Sequence, residues 1–185
     1  MGLFFNKQQA LPPDDREHTI CNTGHRPQSL PWGFNENHPA CIAFKKDLID
    51  TIERAINAGF LHFISGLAIG VDTMFAEAVI ELRKKYKNIT LEGAIPCRNQ
   101  DEKWNAEAKK RYAKIKKECD FLTYISDEYT KTCMNDRNKY MVDHSSVVIA
   151  VWNGEPSGTG NTVRFAKERG CKVKVINPED YRNQN

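Results

Sequence analysis

The sequence has no long hydrophobic run and no recognisable leader segment. Its apolar stretches are short, as in residues 146–152, whereas a helix that crosses a membrane needs about 20 apolar residues. The first residues, MGLFFNKQQALPPDD, lack the positively charged start and the apolar centre of a secretory signal. We therefore expect a protein without membrane contacts that works in the cytoplasm.

Closely spaced cysteines are also missing. The six cysteines lie far apart without any CxxC pair, and we interpret them as reduced, mostly buried thiols. The conceivable zinc ligands are Cys21, His25, His38 and Cys41. Their spacings are unusual for zinc, and Cys97 has no evident base that would make it a nucleophile. We therefore predict no metal and no cofactor.

The composition is that of an ordinary globular protein. The 185 residues are 40% hydrophobic and 28% charged, which excludes a mainly disordered chain. Residues 1–17 are polar, contain two consecutive prolines and show no periodicity, so we predict a polar tail there. Residues 18–185 have the length of one domain and contain no linker-like segment.

Positive charge is unevenly distributed along the chain. The net charge is only +3, but residues 81–117 carry 12 lysines or arginines against 5 acidic residues. Such a run most often forms the solvent-facing side of a helix. The alternative is a surface for single-stranded nucleic acid, in which Lys109, Lys110 and Lys114 would contact phosphates.

Short β-like segments alternate with longer helix-like segments from residue 18 onward. The predicted strands are 18–23, 60–65, 90–95, 121–125, 146–152 and 172–176. The predicted helices are 40–58, 72–86, 101–118, 134–144 and 162–169. This alternation is typical of an α/β fold with a doubly wound, mainly parallel sheet and helices on both faces.

The unusual loops of the chain all follow predicted strands. They are TGHRP, SGLAIGVD, IPCRNQ, ISDEYT and WNGEPSGTG. Because the carboxyl ends of parallel strands meet at one edge of a sheet, we expect these loops to form one composite ligand site.

Two of these loops have the features of phosphate-binding turns. In Ser65–Asp72, glycines allow a tight turn, and Asp72 can cap the helix that follows. Ser157–Asn161 consists of small and hydroxyl-bearing residues before the helix predicted from Thr162. A helix N-terminus offers unpaired N–H groups and a positive dipole to a phosphate. Each loop could be an ordinary turn, but two on one edge favour an anionic or nucleotide ligand.

An arginine and a histidine follow the first predicted strand. Arg26 could hold a phosphate or carboxylate with two hydrogen bonds, or it could pair with a nearby acidic residue. His25 could be a base, a hydrogen-bond donor or a structural residue. Asn138, Asp143 and Trp152 are expected to line the part that holds a base or ribose. The complete predicted site is Gly24, His25, Arg26, Ser65, Gly66, Leu67, Ala68, Gly70, Asp72, Asn138, Asp143, Trp152, Ser157, Gly158, Thr159, Gly160 and Asn161.

At these motifs the sequence is similar to a known superfamily. FISGLAIGVDTMFAEAVI resembles the SGLAxGID signature of the DNA-processing protein A (Smf) Rossmann domain, and SGTGNTVRFAKERGCKVKVI resembles a later part of that domain. TGHRP, RNKYMVDHS and VVIAVWNGEPSGTGNTV resemble more closely the small DUF1273 (YpsA/YoqJ-like) family. That family belongs to the SLOG superfamily, which includes the cytokinin-activating LOG proteins. The resemblance covers residues 18–178 and implies a Rossmann-like nucleotide-binding domain.

The superfamily resemblance implies nucleotide-derived ligands but no single activity. LOG enzymes hydrolyse the N-glycosidic bond of nucleoside monophosphates through a PGGxGTxxE motif. The GT of this motif is present at residues 158–159, but Thr162 stands where the glutamate would be. Loss of this carboxylate argues against glycosidase activity unless Asp72, Glu77 or Glu155 replaces it.

Three hypotheses for the function follow. The first is binding or sensing of a nucleotide or nucleotide-derived ligand without catalysis. The alternatives are a LOG-like phosphoribohydrolase and a single-stranded DNA-binding protein resembling DNA-processing protein A. In the DNA-binding case Trp104 and Tyr112 could stack on bases, although their helical spacing fits core packing better. Domains of this superfamily often pair, so a homo-oligomer is expected, and the gene could be cellular or carried by a phage or mobile element.

Overall fold

Strands and helices alternate along residues 11–183, which are the residues that this computed structural model describes. The strands are β1 Thr19–Gly24, β2 His62–Ser65, β3 Thr90–Ile95, β4 Phe121–Tyr124, β5 Val147–Val151 and β6 Lys172–Ile176. The helices are α1 Pro39–Asn57, α2 Val71–Leu82, α3 Ala106–Glu118, α4 Cys133–Asp143 and α5 Gly158–Glu168. Of the predicted polar tail, residues 1–10 lie outside the described part. Arg16 donates to the carbonyl oxygen of Arg169 over 2.9 Å, so the residues just before β1 contact the segment that leads into β6.

The six strands form one parallel sheet in the order β4-β3-β2-β1-β5-β6. The order reverses between β1 and β5, which are neighbours in the sheet although three strands separate them along the chain. Gly24, the last residue of β1, is the register partner of Val151, the last residue of β5. In open α/β sheets, ligands bind in the crevice outside such a reversal.

Helices cover both faces of the sheet. On one face α1, α2 and α3 bury the larger apolar cluster, which includes Phe44, Phe63 and Phe75. On the other face α4 and α5 cover a smaller cluster that includes Met141 and Ala166. The predicted α/β class with a doubly wound parallel sheet is therefore confirmed.

Strand composition follows position in the sheet. The interior strand β5 reads VVIAV, and all but its first residue are buried, because helices cover both faces of the sheet and β1 and β6 pair with its two edges. The edge strand β6 reads KVKVI, and Lys172 and Lys174 are exposed there. Charged residues on an edge strand oppose uncontrolled pairing with another sheet.

Two helix starts differ from the prediction and reshape the site. α5 begins at Gly158 instead of Thr162, so small residues predicted as a loop form its first turn. α2 begins at Val71, and its N-cap is Gly70. The prediction that Asp72 caps this helix is therefore wrong. Gly70 has a φ of +109°, which a glycine adopts without strain, so the chain turns into the helix two residues before Asp72.

The basic helix α3, in contrast, starts at Ala106, later than the predicted start at residue 101. Asn105 is its N-cap and accepts a hydrogen bond from the Ala108 N–H over 2.8 Å. Trp104 therefore precedes the helix, whereas Tyr112 and Ile115 form its buried side. Tyr112 thus belongs to the core, as its spacing indicated, and Trp104 packs partly buried against this core from outside the helix.

No helix within residues 11–183 is long and apolar enough to span a membrane. The six cysteines are unpaired, and all of them except the half-buried Cys119 are buried. Cys21 and Cys41 belong to clusters on opposite faces of the sheet, so the four conceivable zinc ligands do not come together. Among the described residues, no group of three or more histidine, cysteine or acidic side chains is placed to hold a metal.

Candidate functional site

A cavity of about 320 Å³ lies where the strand order reverses, and we call it the reversal cavity. Its walls are the end of β1, the loop between β2 and α2, and the first turns of α4 and α5. The predicted site residues that line it are Gly24, His25, Arg26, Ala68, Asp72, Asn138, Ser157, Gly158 and Thr159. Three of the five loops expected to form one composite site, TGHRP, SGLAIGVD and WNGEPSGTG, contribute to this cavity, whereas IPCRNQ and ISDEYT do not line it.

Asp72 supplies the carboxylate among the lining residues of the reversal cavity. Its Oδ1 accepts a hydrogen bond from Asn22 Nδ2 over 2.8 Å. Its Oδ2 lies 3.7 Å from Arg137 Nη1 and accepts a longer bond, of 3.4 Å, from the Ala68 N–H. Both oxygens of the carboxylate are therefore engaged by groups of the chain.

Arg137 is a buried guanidinium in the wall of the reversal cavity, and the sequence did not assign it to the site. Its Nη1 donates to the carbonyl oxygen of Gly66 over 2.7 Å, and its Nε donates to Asn138 Oδ1 over 2.8 Å. A Cβ at position 66 would lie 1.7 Å from Nη1, so only glycine leaves room for this side chain. Burial lowers the pKa of Arg137 and so does the nearby charge of Arg26, while Asp72 opposes both effects.

The segment after β1 contributes His25, which contacts Asn153, and Arg26, which has no carboxylate partner among the described residues. His25 is buried, and its Nε2 lies 3.0 Å from Asn153 Oδ1 in the loop after β5. Of the roles considered for His25, this contact favours the structural one, because it joins the two strands at the reversal. Arg26 is exposed, and within residues 11–183 its guanidinium pairs with no carboxylate. The alternative in which Arg26 pairs with an acidic residue is therefore not observed.

The first turn of α5 forms the opposite wall. Ser157 is the N-cap, and its Oγ accepts a hydrogen bond from the Gly160 N–H over 3.1 Å. N–H groups in a first turn have no partner within the helix and can bind an anion. Thr162 donates to the Gly158 carbonyl oxygen and accepts from Asn138 Nδ2, each over 3.1 Å. The position of the LOG glutamate is therefore filled by a hydroxyl that joins α4 to α5.

Several predicted residues lie beneath the cavity and support it. Ser65 Oγ donates to the backbone carbonyl oxygen of Asp72 over 2.9 Å and accepts from the Leu67 N–H. Gly66 makes room for Arg137, as described above. A Cβ at Gly70 would lie 2.8 Å from the carbonyl oxygen of His25, so the loops after β1 and β2 approach closely there.

The other predicted residues lie away from the reversal cavity. Asp143 is exposed and pairs with Arg169 over 3.3 Å, so it does not line the base or ribose part as expected. Trp152 donates its indole N–H to the Glu155 carbonyl oxygen over 2.7 Å, and its ring packs next to Gly160. Asn161 is exposed and accepts a hydrogen bond from Arg164. These residues brace α5 and its surroundings.

Besides Arg137, the polar lining residues that the sequence did not assign to the site are Asn22, Thr23, Ser29 and Asn135. Asn22 is buried on β1, and its Oδ1 has no hydrogen-bond partner among the described residues. A buried amide oxygen without a partner is costly, and a ligand hydroxyl would satisfy it. The sequence did contain a signal for Asn22, because it is a polar residue near the carboxyl end of an apolar strand.

Two other candidate groups are engaged elsewhere. Glu77 Oε2 pairs with Arg111 Nη2 over 2.6 Å, away from the reversal cavity. Burial raises the pKa of the Cys97 thiol, which is the opposite of what activates a nucleophile. Neither residue therefore supplies chemistry to the site.

With this geometry established, comparison with known proteins identifies the family. A family model described as the YspA SLOG family (YpsA) matches residues 20–181. The chain belongs to this YpsA family of the SLOG superfamily. The residues that line the reversal cavity all lie within the matched range.

Bacterial relatives support the YpsA assignment. The chain is 31% identical over 144 residues to the SPbeta prophage-derived protein YoqJ of Bacillus subtilis, covering 71% of this chain and 84% of that protein. It is 27% identical over 128 residues to a UPF0398 protein of Brevibacillus brevis, covering 68% of each.

Solved structures support the fold of this YpsA-family chain. DNA processing protein A from Streptococcus pneumoniae superposes with a TM-score of 0.58 at 19% identity, over 86% of this chain and 50% of that one. The same protein from Helicobacter pylori gives the same TM-score and identity, over 86% of this chain and 65% of that one. The chain therefore spans half to about two thirds of these neighbours.

Proposed function

We propose that the chain binds or senses a nucleotide or nucleotide-derived ligand in the reversal cavity, without catalysis. One observation carries this proposal. The guanidinium of Arg26, the guanidinium of Arg137 and the N-terminus of α5 converge on one cavity at the reversal of strand order. Arginine forks and helix N-termini are two of the groups that proteins use to hold phosphates.

The charge balance of the cavity favours an anion. Asp72 is close to Arg137, so these two charges largely offset each other. The unpaired Arg26 and the positive end of the α5 dipole remain. The buried Oδ1 of Asn22 adds a hydrogen-bond acceptor that suits a ribose hydroxyl better than a phosphate. This combination fits a phosphorylated ribose compound.

The carboxylates near the reversal cavity do not favour catalysis. Thr162 replaces the glutamate of the LOG motif, and a hydroxyl cannot stabilise a ribosyl cation as a carboxylate does. Asp72 is the lining carboxylate, but Asn22 and Arg137 hold both of its oxygens. A carboxylate held in this way is poorly placed to activate water.

A second candidate function is binding of single-stranded DNA. The structural neighbour from Helicobacter pylori, DNA processing protein A, binds single-stranded DNA. In the present chain α3 exposes Lys110 and Lys114, which could contact successive phosphates. Such binding would weaken steeply as the salt concentration rises.

Calorimetric titration with nucleoside monophosphates, nucleoside diphosphates, NAD and ADP-ribose tests the proposal. For the compound that binds best, Arg26→Ala should weaken binding about tenfold or more, because a charge-assisted hydrogen bond to phosphate is lost. Arg54→Ala, which removes an exposed arginine from α1, is the matched control and should bind as the unaltered protein does.

Other outcomes would point elsewhere. Equal affinity in Arg26→Ala and the unaltered protein would refute the site. Release of ribose 5-phosphate from a nucleoside monophosphate would support the hydrolase. Binding of an oligonucleotide alone, weakened by Lys110→Ala, would support the DNA-binding function.

A further inference from the structure

A second and larger cavity, of about 580 Å³, adjoins the reversal cavity. Ile69 lines both cavities, and Pro27, the residue after Arg26, lines the larger one. We call it the aromatic cavity, because Phe34, Trp104 and Tyr112 lie in its walls. A ligand bound at Arg26 would have direct access to this space.

Of the three aromatic residues, Phe34 offers the most open surface on which a flat ring could stack. The rings of Trp104 and Tyr112 meet edge to face, with centroids 5.1 Å apart. Phe34 is 69% exposed, although a side chain of its size would gain stability from burial. Tyr112 is buried, and its hydroxyl faces the side chain of Gln100. The uncovered aromatic surface of the cavity is therefore that of Phe34 and, in part, of Trp104.

Ion pairs hold the walls of the aromatic cavity in place. Arg111 on α3 donates through Nη2 to Glu36 Oε2 over 3.0 Å and to Glu77 Oε2 on α2 over 2.6 Å. Lys45 on α1 also contacts Glu36. Glu36 belongs to the segment that carries Phe34, so these ion pairs connect that segment to three helices. The cavity is therefore formed before any ligand arrives, which lowers the entropic cost of binding.

The remaining lining residues suit a heterocycle with a polar edge. Thr73 and Met74 on α2 are buried in the wall and supply one hydroxyl and one polarisable thioether. Asn35, Asn37 and Glu107 are exposed at the rim and can exchange hydrogen bonds with ring nitrogens or amino groups. Ligand sites are commonly apolar clefts of about 300–1,000 Å³ with a few polar groups that fix orientation.

We propose that the aromatic cavity binds the base of a nucleotide whose phosphate lies in the reversal cavity. This inference rests on the proposed function and narrows it, because the ligand must then be a base-bearing nucleotide and not a sugar phosphate alone. Phe34 and Trp104 are the stacking residues, and Ile69 and Pro27 form the boundary over which the ribose passes.

The test compares ligands with and without a base. Binding of AMP, GMP, CMP, UMP and ribose 5-phosphate is measured by calorimetry for the unaltered protein and for Phe34→Ala, Trp104→Leu and Arg26→Ala. Stacking on an aromatic side chain typically changes affinity about fivefold to 100-fold. Phe34→Ala and Trp104→Leu should weaken the best nucleotide by at least about fivefold and leave ribose 5-phosphate unchanged. Arg26→Ala should weaken both kinds of ligand.

A matched control and a spectroscopic readout make the test specific. Tyr129→Ala removes an aromatic side chain that is 64% exposed and lines neither cavity, and it should leave all affinities unchanged. The bound nucleotide should quench tryptophan fluorescence, and Trp104→Leu should remove this quenching. Phe34 is exposed, so Phe34→Ala tests the inference even if Trp104→Leu folds poorly.

The outcomes separate the inference from the proposed function. Unchanged nucleotide affinity in Phe34→Ala, together with weakened binding in Arg26→Ala, would overturn the base site and leave the phosphate site intact. Equal losses for ribose 5-phosphate and nucleotide in Phe34→Ala would also overturn the base site. If none of the five compounds binds the unaltered protein, the base site is overturned, and the titrations with nucleoside diphosphates, NAD and ADP-ribose decide the proposed function separately.

Discussion

Glu92 places a carboxylate inside the sheet, on β3, where it is only 1% exposed. His62 Nε2 lies 2.9 Å from its Oε2, and the hydroxyls of Thr123 and Tyr140 donate to its Oε1 over 2.6 and 2.8 Å. Burial by itself would raise the pKa of Glu92. The three hydrogen bonds outweigh this effect, and the pKa lies below the ordinary value of 4.5.

This arrangement predicts how stability depends on pH. Since the pKa of Glu92 is lower in the folded than in the unfolded protein, the ionised group stabilises the fold above about pH 4.5. That stability is lost as the pH falls through the folded pKa. Glu92→Gln should lower the free energy of unfolding at pH 7 by about 1–3 kcal/mol and flatten its decline below about pH 5.

Urea unfolding at several pH values checks the Glu92 prediction. Glu128→Gln removes an exposed carboxylate and serves as the control, which should keep the full decline in stability. If Glu92→Gln declined with pH as steeply as the control, the hydrogen-bonded carboxylate would not be the source of the effect.

Of the two arginines that line the reversal cavity, the sequence predicted one and missed the other. Arg26 could be predicted because it lies two residues after the end of β1 and precedes a proline. Arg137 was not, because a charged residue within a polar helix is normally solvated. Its burial depends on Gly66, which is 71 residues away and lacks the side chain that would block it.

At the scale of elements, α5 has the greatest influence on the candidate site. Its first turn contains two glycines, which are poor helix formers, so the sequence favoured a start at Thr162. The Ser157 cap and packing against the sheet outweigh this preference and extend the helix to Gly158. The earlier start brings the positive end of the helix dipole to the reversal cavity.

Two substitutions of Ser157, the N-cap of α5, separate its effect on the stability of the fold from its effect on nucleotide binding. Ser157→Ala removes the cap and should lower the free energy of unfolding by about 1 kcal/mol. Ser157→Asp keeps a good cap and should be nearly as stable as the unaltered protein, but its negative charge should weaken binding of a nucleotide phosphate about tenfold. Denaturant unfolding and calorimetric titration measure the two effects.

The Ser157→Asp variant decides where the phosphate lies. A variant that folds normally and binds the nucleotide as tightly as the unaltered protein would place the phosphate away from α5. A smaller difference in affinity between the variant and the unaltered protein at high salt would instead support direct charge repulsion, because salt screens interactions between exposed charges.

At the scale of the whole molecule, the sheet order explains why residues from distant segments meet. The alternation of strands and helices, and the glycine loops after the strands, predicted the α/β class and one site at the carboxyl edge. Periodicity could not predict the aromatic cavity, because Phe34 and Trp104 lie outside the helices and strands, in segments without a regular pattern. Their positions depend on the ion pairs of Glu36, Arg111 and Glu77, which connect segments far apart in the chain.

The same architecture predicts that ligand binding stabilises the whole fold. The reversal cavity is lined from β1, from the β2–α2 loop and from the starts of α4 and α5, so a bound ligand joins the helical layers on both faces of the sheet. A ligand present at 100 times its dissociation constant adds about 2.7 kcal/mol. For a chain of this length the unfolding temperature should rise by roughly 5–10 °C.

A thermal-shift titration with the best-binding nucleotide measures this stabilisation. In Arg26→Ala the shift should shrink at the same ligand concentration, because the affinity is lower while the fold is unaltered at an exposed position. An equal shift in Arg26→Ala and the unaltered protein would mean that the nucleotide stabilises the fold from another site. A thermal shift that shrinks in Arg26→Ala would therefore mean that the stabilising nucleotide binds in the reversal cavity.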